Sequence, residues 1–282
     1  MTETSTNTVT IGTVKIGARE PLAVIAGPCV IESMDVMRKT AETLSALARD
    51  LGIGLVFKSS FDKANRSSGG SFRGPGFDEG LEVLSRLKKE FDIPIISDVH
   101  ETWQVEKASQ VLDALQIPAF LARQTDLLIA ASDSGLPLNV KKGQFMAPQD
   151  MALVIEKVSS RPNFKGICLC ERGTTFGYHN LVVDMRSLAI MRDMGWPVVF
   201  DATHSVQLPS AGQGRSGGER RFIPTLARAA VAVGVDAIFM ETHPQPEKAL
   251  CDGPNQWPLD QVKELWTNLR DLHLYLKNKE RI

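Results

Sequence analysis

The sequence has little of several features that mark specialised protein classes. Only 4 of its 282 residues are cysteine, too few for a disulfide framework in a chain of this length, so we expect thiols or ligands. Basic residues number 32 against 33 acidic ones, and this balance provides no overall field for recruiting nucleic acid or a membrane surface. The N-terminus MTETSTNTVT lacks a signal-peptide pattern, and no run approaches the roughly 20 apolar residues of a membrane span. These absences predict a cytoplasmic protein.

What the chain does have is enough apolar residue, 43%, to bury one substantial core. We predict a single domain over residues 1–282, because this length is typical of one α/β barrel. Residues 1–7 are polar and predicted to be frayed, whereas residues 8–18 predict an N-terminal β-hairpin that turns at Gly12 and Thr13.

Short apolar runs alternate with amphipathic stretches along the rest of the chain. This alternation is typical of βα units around a parallel sheet. The predicted strands are residues 22–26, 54–58, 94–98, 112–116, 137–141, 166–170, 197–201 and 236–240, and residues 33–51 and 258–277 are among the predicted helices. A doubly wound open sheet gives the same alternation, but polar residues crowd the carboxyl ends of these strands. Because that end carries the active site of a (β/α)8 TIM barrel, we predict that fold.

Basic residues are unusually frequent at and just after these strand ends. They are Lys58, Lys63, Arg66, Arg73, Arg123, Lys141 and Arg172. Buried cations are costly unless they are paired, and structural ion pairs are one explanation for them. The carboxylates Asp98, Glu171 and Asp201 are too few to neutralise all seven. The pattern therefore favours a polyanionic substrate such as a phosphorylated metabolite.

A second set of strand-end residues predicts a metal site. Its members are Cys29, His204, Glu241 and Asp252. Closure of the barrel places strand eight beside strand one, so a thiolate, an imidazole and two carboxylates converge, which suits zinc, iron(II) or manganese(II). Taken alone, Cys29 also fits a small buried residue after the Gly27-Pro28 turn. We interpret His243 as a structural histidine, and Cys168 and Cys170 as barrel-wall packing.

Two loops rich in glycine and serine follow strands two and seven, at residues 67–76 and 209–218. Loops of this length over a barrel mouth predict lids, with ordinary disorder as the alternative.

Long motifs of the chain resemble the family of 3-deoxy-D-manno-octulosonate 8-phosphate synthases. They are KSSFDKANRSS (58–68), SFRG (71–74), AGPC (26–29), IES (31–33), SDVHE (97–101), QIPAFLARQTDL (116–127), NVKKGQF (139–145), ERGTTFGYHNLVVDM (171–185), DATHSVQLP (201–209) and METHPQPEKALCDGP (240–254). Related synthases that use erythrose 4-phosphate have Lys-Pro-Arg-Thr or a close variant where this chain has KANRS. That difference favours a five-carbon aldose.

The resemblance implies condensation of phosphoenolpyruvate with D-arabinose 5-phosphate, a step in lipopolysaccharide precursor synthesis, by a homotetramer. It assigns phosphoenolpyruvate to Lys58, Ser60, Lys63, Gln116, Lys141 and Arg172. It assigns the aldose phosphate to Asn65, Arg66 and Ser67, and to Arg123 from a neighbouring subunit. The implied catalytic residues are Lys63, Asp98, His204 and Asp252.

Cys29 also places the chain with the metal-dependent branch of that family, because the metal-free branch has asparagine there. The implied ligands of a divalent ion are Cys29, His204, Glu241 and Asp252. The chain departs from the family pattern at Gly69-Gly70, usually Ile-His, and CDGP (251–254) resembles the metal-free branch. Two alternatives stay open: a synthase that uses erythrose 4-phosphate, and a non-catalytic barrel that binds sugar phosphates.

Overall fold

A closed barrel of eight parallel strands forms the centre of the computed structural model, which describes residues 7–17, 19–66, 68–212 and 215–279. The barrel strands are β1 (Ala23–Gly27), β2 (Gly54–Lys58), β3 (Ile95–Asp98), β4 (Ala114–Ile117), β5 (Leu138–Lys141), β6 (Ile167–Glu171), β7 (Val198–Asp201) and β8 (Ala237–His243). Each pairs with the next, and β8 pairs with β1, which closes the barrel. The predicted (β/α)8 fold is confirmed.

An α-helix follows each strand in the described part of the chain. The helices are α1 (Met34–Leu51), α2 (Phe77–Phe91), α3 (Thr102–Ser109), α4 (Thr125–Asp133), α5 (Met151–Ser159), α6 (Arg186–Arg192), α7 (Ile223–Val233) and α8 (Val262–Asn278). The first begins where the sequence predicts, because Ser33 Oγ accepts a hydrogen bond from Val36 N at 3.3 Å. It ends at Gly52, whose φ of 64° is left-handed. None of the helices so described is long and apolar enough to cross a membrane.

Three element boundaries differ from the prediction by more than one residue. Strand β8 ends at His243 rather than at residue 240. Strand β4 begins at Ala114, two residues late, since Leu112 N still bonds to Ala108 O and the Asp113 carboxylate accepts from Ile95 N at 2.9 Å. Helix α8 begins at Val262 rather than at residue 258, because Pro258 belongs to a short strand beside β8.

The buried apolar side chains form two layers. The outer layer lies between strands and helices, whereas the inner one fills the barrel and includes Cys168 and Cys170, the predicted wall residues. The predicted hairpin is confirmed as Val9–Ile11 paired with Val14–Ile16. Its apolar side chains belong to the inner layer, so the hairpin fills one end of the barrel. The carboxyl end is left for a site.

The N-terminal residues and the two long loops were given predictions of their own. Residues 1–6 of the predicted frayed segment lie outside the described residues, while Asn7 donates to Gly195 O from its backbone and its side chain, each at 2.8 Å. The second loop forms a hairpin, Gln207–Gly212 with Arg215–Gly218. Ser67, in the first loop, is also outside the described residues.

Candidate active site

A cavity of about 360 Å³ opens at the carboxyl end of the barrel. Four neighbouring strands, β2 to β5, each contribute a polar side chain that ends the strand or lies one residue before its end. These side chains are Lys58, Asp98, Gln116 and Lys141, and all four line the cavity. The predicted residues Lys63, Asn65, Arg66, Arg172, His204 and Asp252 line it as well. The sequence therefore brings most of its predicted site residues together.

Lys58 lies fully buried between carboxylates. Its Nζ is 3.1 Å from Glu241 Oε1 and 3.6 Å from Asp98 Oδ2, and it donates to Ser60 Oγ at 2.9 Å. Burial alone would raise the pKa of Asp98, but the Lys58 and Lys63 ammonium groups hold that pKa below its ordinary range. The site thus contains a fixed positive charge against a fixed negative one.

The Asp98 carboxylate is also held by neutral donors. Ser60 Oγ donates to one of its oxygens and Gln116 Nε2 to the other. Gln116 Oε1 in turn accepts from Asn139 Nδ2 at 2.8 Å. These contacts orient Asp98 before any substrate is bound.

A second buried ion pair joins β5 to β7. Lys141 Nζ donates to Asp201 Oδ2 at 2.7 Å and lies 3.7 Å from the ring centre of Phe239. The same carboxylate oxygen is 2.8 Å from His204 Nδ1. Burial opposes ionisation of both partners, yet the His204 and Lys141 charges lower the pKa of Asp201, and Asp201 raises the pKa of Lys141. An ionised Asp201 keeps a proton on His204 Nδ1 and leaves Nε2 free.

The predicted metal ligands lie close together in two overlapping groups. One is Cys29, Cys251 and Asp252, the other His204, Glu241 and Asp252, and within each the ligand atoms lie within 4.8 Å of one another. Glu241 Oε2 is buried, forms no hydrogen bond among the described residues, and is 3.5 Å from His204 Nε2. A thiol, a carboxylate oxygen without a donor and an imidazole nitrogen are the atoms that a divalent transition ion needs.

The two thiols of this site are in contact, with Cys29 Sγ 3.0 Å from Cys251 Sγ. Burial first, and then Cys251, raise the pKa of Cys29 well above its ordinary value. A bound cation is the group that would hold Cys29 as a thiolate near neutral pH. The predicted ligand set therefore fits a metal, with Cys251 as a neighbour that the sequence analysis treated only as one of four thiols.

The segment after β2 brings two cations next to the candidate metal ligands. Lys63 Nζ is 3.5 Å from Glu241 Oε1, and Arg66 Nη1 is 2.9 Å from Cys251 Sγ and 3.5 Å from Asp252 Oδ1. Burial would lower the pKa of Lys63, but Cys29 and Glu241 raise it well above its ordinary value. Both side chains are therefore cations facing the cavity.

Sequence reasoning did not single out Gln207, which joins two of the predicted residues. Gln207 Oε1 accepts from Arg172 Nη2 at 2.9 Å, and Gln207 Nε2 donates to Asp252 Oδ2 at 3.2 Å. Arg172 Nη1 is buried without a hydrogen-bond partner among the described residues. No spacing signal points to Gln207, because its contacts depend on how two loops fold over the barrel.

Two of the seven predicted cations lie elsewhere. Arg73 pairs with Asp62 and is half-exposed, and Arg123 lines a separate cavity of about 280 Å³ beside Lys157. Glu171, expected to neutralise cations of the site, pairs with the buried Lys142 at 3.6 Å and accepts from the backbone of Arg172 and Gly173 and from Ser187 Oγ. Glu241 neutralises Lys58 and Lys63 of the site, so the excess of positive charge around the cavity is smaller than the sequence suggested.

Comparison with known proteins places the chain among enzymes of one kind. A family model described as the DAHP synthetase I family matches residues 2–278. A 2-dehydro-3-deoxyphosphooctonate aldolase of Xanthomonas campestris pv. campestris (strain B100) is 56% identical over 263 residues, which cover 93% of this chain and 95% of that protein. A protein of the same name from Geobacter sp. (strain M21) is 55% identical over 267 residues, or 95% of this chain and 97% of that protein.

Proposed function

The chain belongs to the DAHP synthetase I family, and from this premise we propose that it condenses phosphoenolpyruvate with D-arabinose 5-phosphate and water. The products are 3-deoxy-D-manno-octulosonate 8-phosphate, a lipopolysaccharide precursor, and inorganic phosphate, which makes the protein a transferase. The observation that carries the proposal is the set of five basic side chains around one cavity, since both substrates are phosphorylated. A single domain over residues 1–282 and a cytoplasmic location are parts of the same proposal.

We assign phosphoenolpyruvate to the inner part of the cavity. Its ligands are Lys58, Ser60, Lys63, Gln116, Lys141 and Arg172. Lys58 and Lys141 project from strands, so their ammonium groups are held in place. Arg172 Nη1, which bonds to none of the described residues, offers a further donor. A charge-assisted hydrogen bond contributes about 1.5–3 kcal/mol, so a few of these donors suffice to bind a small trianion.

We assign the aldose phosphate to the outer part, where Asn65 and Arg66 line the cavity after Lys63. Ser67, outside the described residues, is assigned to the same phosphate from the sequence motif alone. Arg123 completes this subsite from a neighbouring subunit of a homotetramer. That arrangement is supported by the position of Arg123, which lies outside the cavity of its own chain.

The reaction forms one carbon–carbon bond and breaks one carbon–oxygen bond. C3 of phosphoenolpyruvate attacks the C1 aldehyde of the aldose, and Lys63 donates a proton to the aldehyde oxygen. Positive charge develops at C2 and is stabilised by the ionised Asp98, which is already oriented by Ser60 and Gln116. Water adds to C2, and phosphate then leaves with its bridging oxygen.

His204 is the candidate acceptor of the proton from this water. Asp201 fixes its orientation through Nδ1, and Asp252 Oδ2, 4.0 Å from Nε2, stabilises the protonated ring. His204 Nε2 cannot bind a metal and accept a proton at the same time. If the reaction requires a metal, His204 is a ligand; if it does not, His204 is the proton acceptor.

We propose that a divalent zinc, iron or manganese ion binds Cys29, His204, Glu241 and Asp252. Such an ion supplies an electrophile that orients the aldose, or a bound water whose pKa is brought down to roughly 7. The donor set supports this assignment, because Glu241 Oε2 is buried and no described residue donates a hydrogen bond to it.

The first experiment measures phosphate release from phosphoenolpyruvate with arabinose 5-phosphate or erythrose 4-phosphate, offered separately. Each assay is run before EDTA treatment, after it, and after addition of manganese or zinc. We expect turnover with arabinose 5-phosphate that EDTA abolishes and metal restores. Faster turnover of erythrose 4-phosphate would overturn the substrate, and binding without turnover of any aldose would point to a non-catalytic barrel.

A matched pair of cysteine variants isolates the metal assignment. Cys29→Ser is expected to lose metal binding and metal-dependent activity, whereas Cys168→Ser changes a thiol of the barrel wall and keeps both. Full activity of the Cys29→Ser protein in EDTA would make Cys29 a packing residue and return the proton acceptor role to His204.

A further inference from the structure

The loop after β8 is tied to the loop after β1 by one acidic side chain that the mechanism does not use. Glu32 Oε1 accepts a hydrogen bond from Leu250 N at 2.9 Å, and Glu32 Oε2 is 3.4 Å from His243 Nε2. The side chains of Glu32 and His243 are only 8% and 4% exposed, so water competes little for these contacts.

In neutral His243, the ring proton is on the nitrogen nearer to Glu32. His243 Nδ1 accepts from Gln245 N at 3.0 Å, so in the neutral ring the proton is on Nε2. Glu32 therefore accepts one hydrogen bond, from the Leu250 amide, and lies close to the His243 ring, whose Nε2 forms no hydrogen bond among the described residues. A glutamine amide has only one acceptor oxygen, so it would set an N–H group against either the Leu250 amide or the His243 ring.

The backbone that Glu32 holds leads directly to residues of the site. Leu250 O is 3.5 Å from Arg66 Nη2, and the next two residues, Cys251 and Asp252, contact Arg66 Nη1. Asp252 has a φ of 47°, a left-handed conformation that needs support from its surroundings. A shift at Leu250 would thus move both candidate ligands and the arginine.

We propose that Glu32 and His243 are positioning residues, which hold segment 250–252 so that Asp252 faces the metal site and Arg66 faces the aldose phosphate. The expected change in KM rests on the proposed function, whereas the expected loosening of segment 250–252 does not depend on turnover. Neither residue lines the cavity.

The first test is hydrogen exchange of the EDTA-treated protein, which needs neither metal nor substrate. In Glu32→Ala, peptides covering residues 246–254 are expected to exchange roughly tenfold faster or more, with no change in α2 and α3. Glu32→Gln keeps one acceptor and is expected to give an intermediate effect. The control Glu90→Gln changes a glutamate of α2 that pairs with Arg38 at the surface. Unchanged exchange in Glu32→Ala overturns the proposal.

The second test separates positioning from general destabilisation by steady-state kinetics. In Glu32→Gln and His243→Gln, the KM for arabinose 5-phosphate is expected to rise about tenfold while the KM for phosphoenolpyruvate stays within about twofold. His273→Gln, in a buried histidine of α8, controls for the loss of an imidazole. A fall in kcat with both KM values unchanged overturns the proposal. If the unchanged protein turns over no aldose, the proposed function fails, and hydrogen exchange still decides the role of Glu32.

Discussion

Oppositely charged side chains at the barrel mouth form ion pairs before a substrate binds. Lys58 with Glu241 and Lys141 with Asp201 are two deeply buried pairs. Removing one partner of such a pair leaves the other charge buried and uncompensated, which is strongly destabilising. Variants at the edge of the cavity therefore report on binding more cleanly than variants of these four residues.

Arg66 is such an edge residue. Arg66→Ala is expected to raise the KM for arabinose 5-phosphate about 10- to 100-fold, with less effect on that for phosphoenolpyruvate, because it removes one charge-assisted phosphate contact. Initial rates with each substrate varied in turn measure the change. The control Arg86→Ala removes an arginine of the α2 surface. An unchanged aldose KM would move the phosphate to another part of the cavity.

Many of the residues predicted from the sequence lie at or just after the ends of strands. Parallel strands of a barrel deliver Lys58, Asp98 and Lys141 to one rim, whatever the loops do. Contacts between loops carry no such signal: the thiol pair Cys29 and Cys251 joins residues 222 positions apart. The pairing of Glu241 with lysines was also missed, because its strand position suits a metal ligand and a counterion equally well.

Among the elements, the N-terminal hairpin contributes to the barrel core rather than to the site. Ile11 is fully buried in the inner layer. Ile11→Ala is expected to lower the free energy of unfolding by about 2–5 kcal/mol, the usual cost of truncating a buried isoleucine. Urea denaturation measures this change, and Thr10→Ala, exposed on the same strand, is the control. Equal midpoints for both variants would show that the hairpin does not stabilise the barrel.

Asp236, directly before β8, is a buried acid whose pKa is raised. Burial raises the pKa of Asp236 from its ordinary value of 3.8 to about 6, although it accepts a hydrogen bond from Val198 N at 2.7 Å. The folded protein then binds more protons than the unfolded chain between these values, so Asp236 makes stability fall as pH rises from about 4 to 6. A shift of roughly two pKa units corresponds to about 3 kcal/mol.

Asp236→Asn removes this titration and retains an acceptor for Val198 N. Its free energy of unfolding, relative to that of the unchanged protein, is expected to increase by up to about 3 kcal/mol between pH 4 and pH 7. Denaturation at a series of pH values measures the difference, with Asp50→Asn, an exposed position, as control. A difference independent of pH would mean that Asp236 titrates normally.

The sequence predicted which helices and strands form more accurately than where they begin and end. Period and composition located all eight barrel strands, because buried parallel strands are short apolar runs. The errors at β4 and α8 come from side-chain and strand contacts that no local pattern encodes: Asp113 bonds to the neighbouring strand, and Pro258 pairs beside β8.

At the scale of the whole molecule, Arg123 lies outside the cavity that its own chain forms. If neighbouring subunits share sites as proposed, two inactive variants can complement each other. Arg123→Ala and Lys63→Ala, each of low activity alone, are expected to regain activity when co-expressed with different tags and purified as a mixed assembly, because some sites then have both side chains intact. No gain over the separate variants would place Arg123 outside the aldose subsite.

The buried Lys58–Glu241 pair has a consequence for how this lineage changes over generations. Loss of either side chain alone leaves its partner's charge buried and unpaired, because both side chains are no more than 1% exposed. An intermediate ancestor with only one of the two would fold poorly as well as catalyse poorly. Positions 58 and 241 are therefore expected to change together or to stay fixed, while exposed surface residues such as Lys89 accumulate substitutions freely.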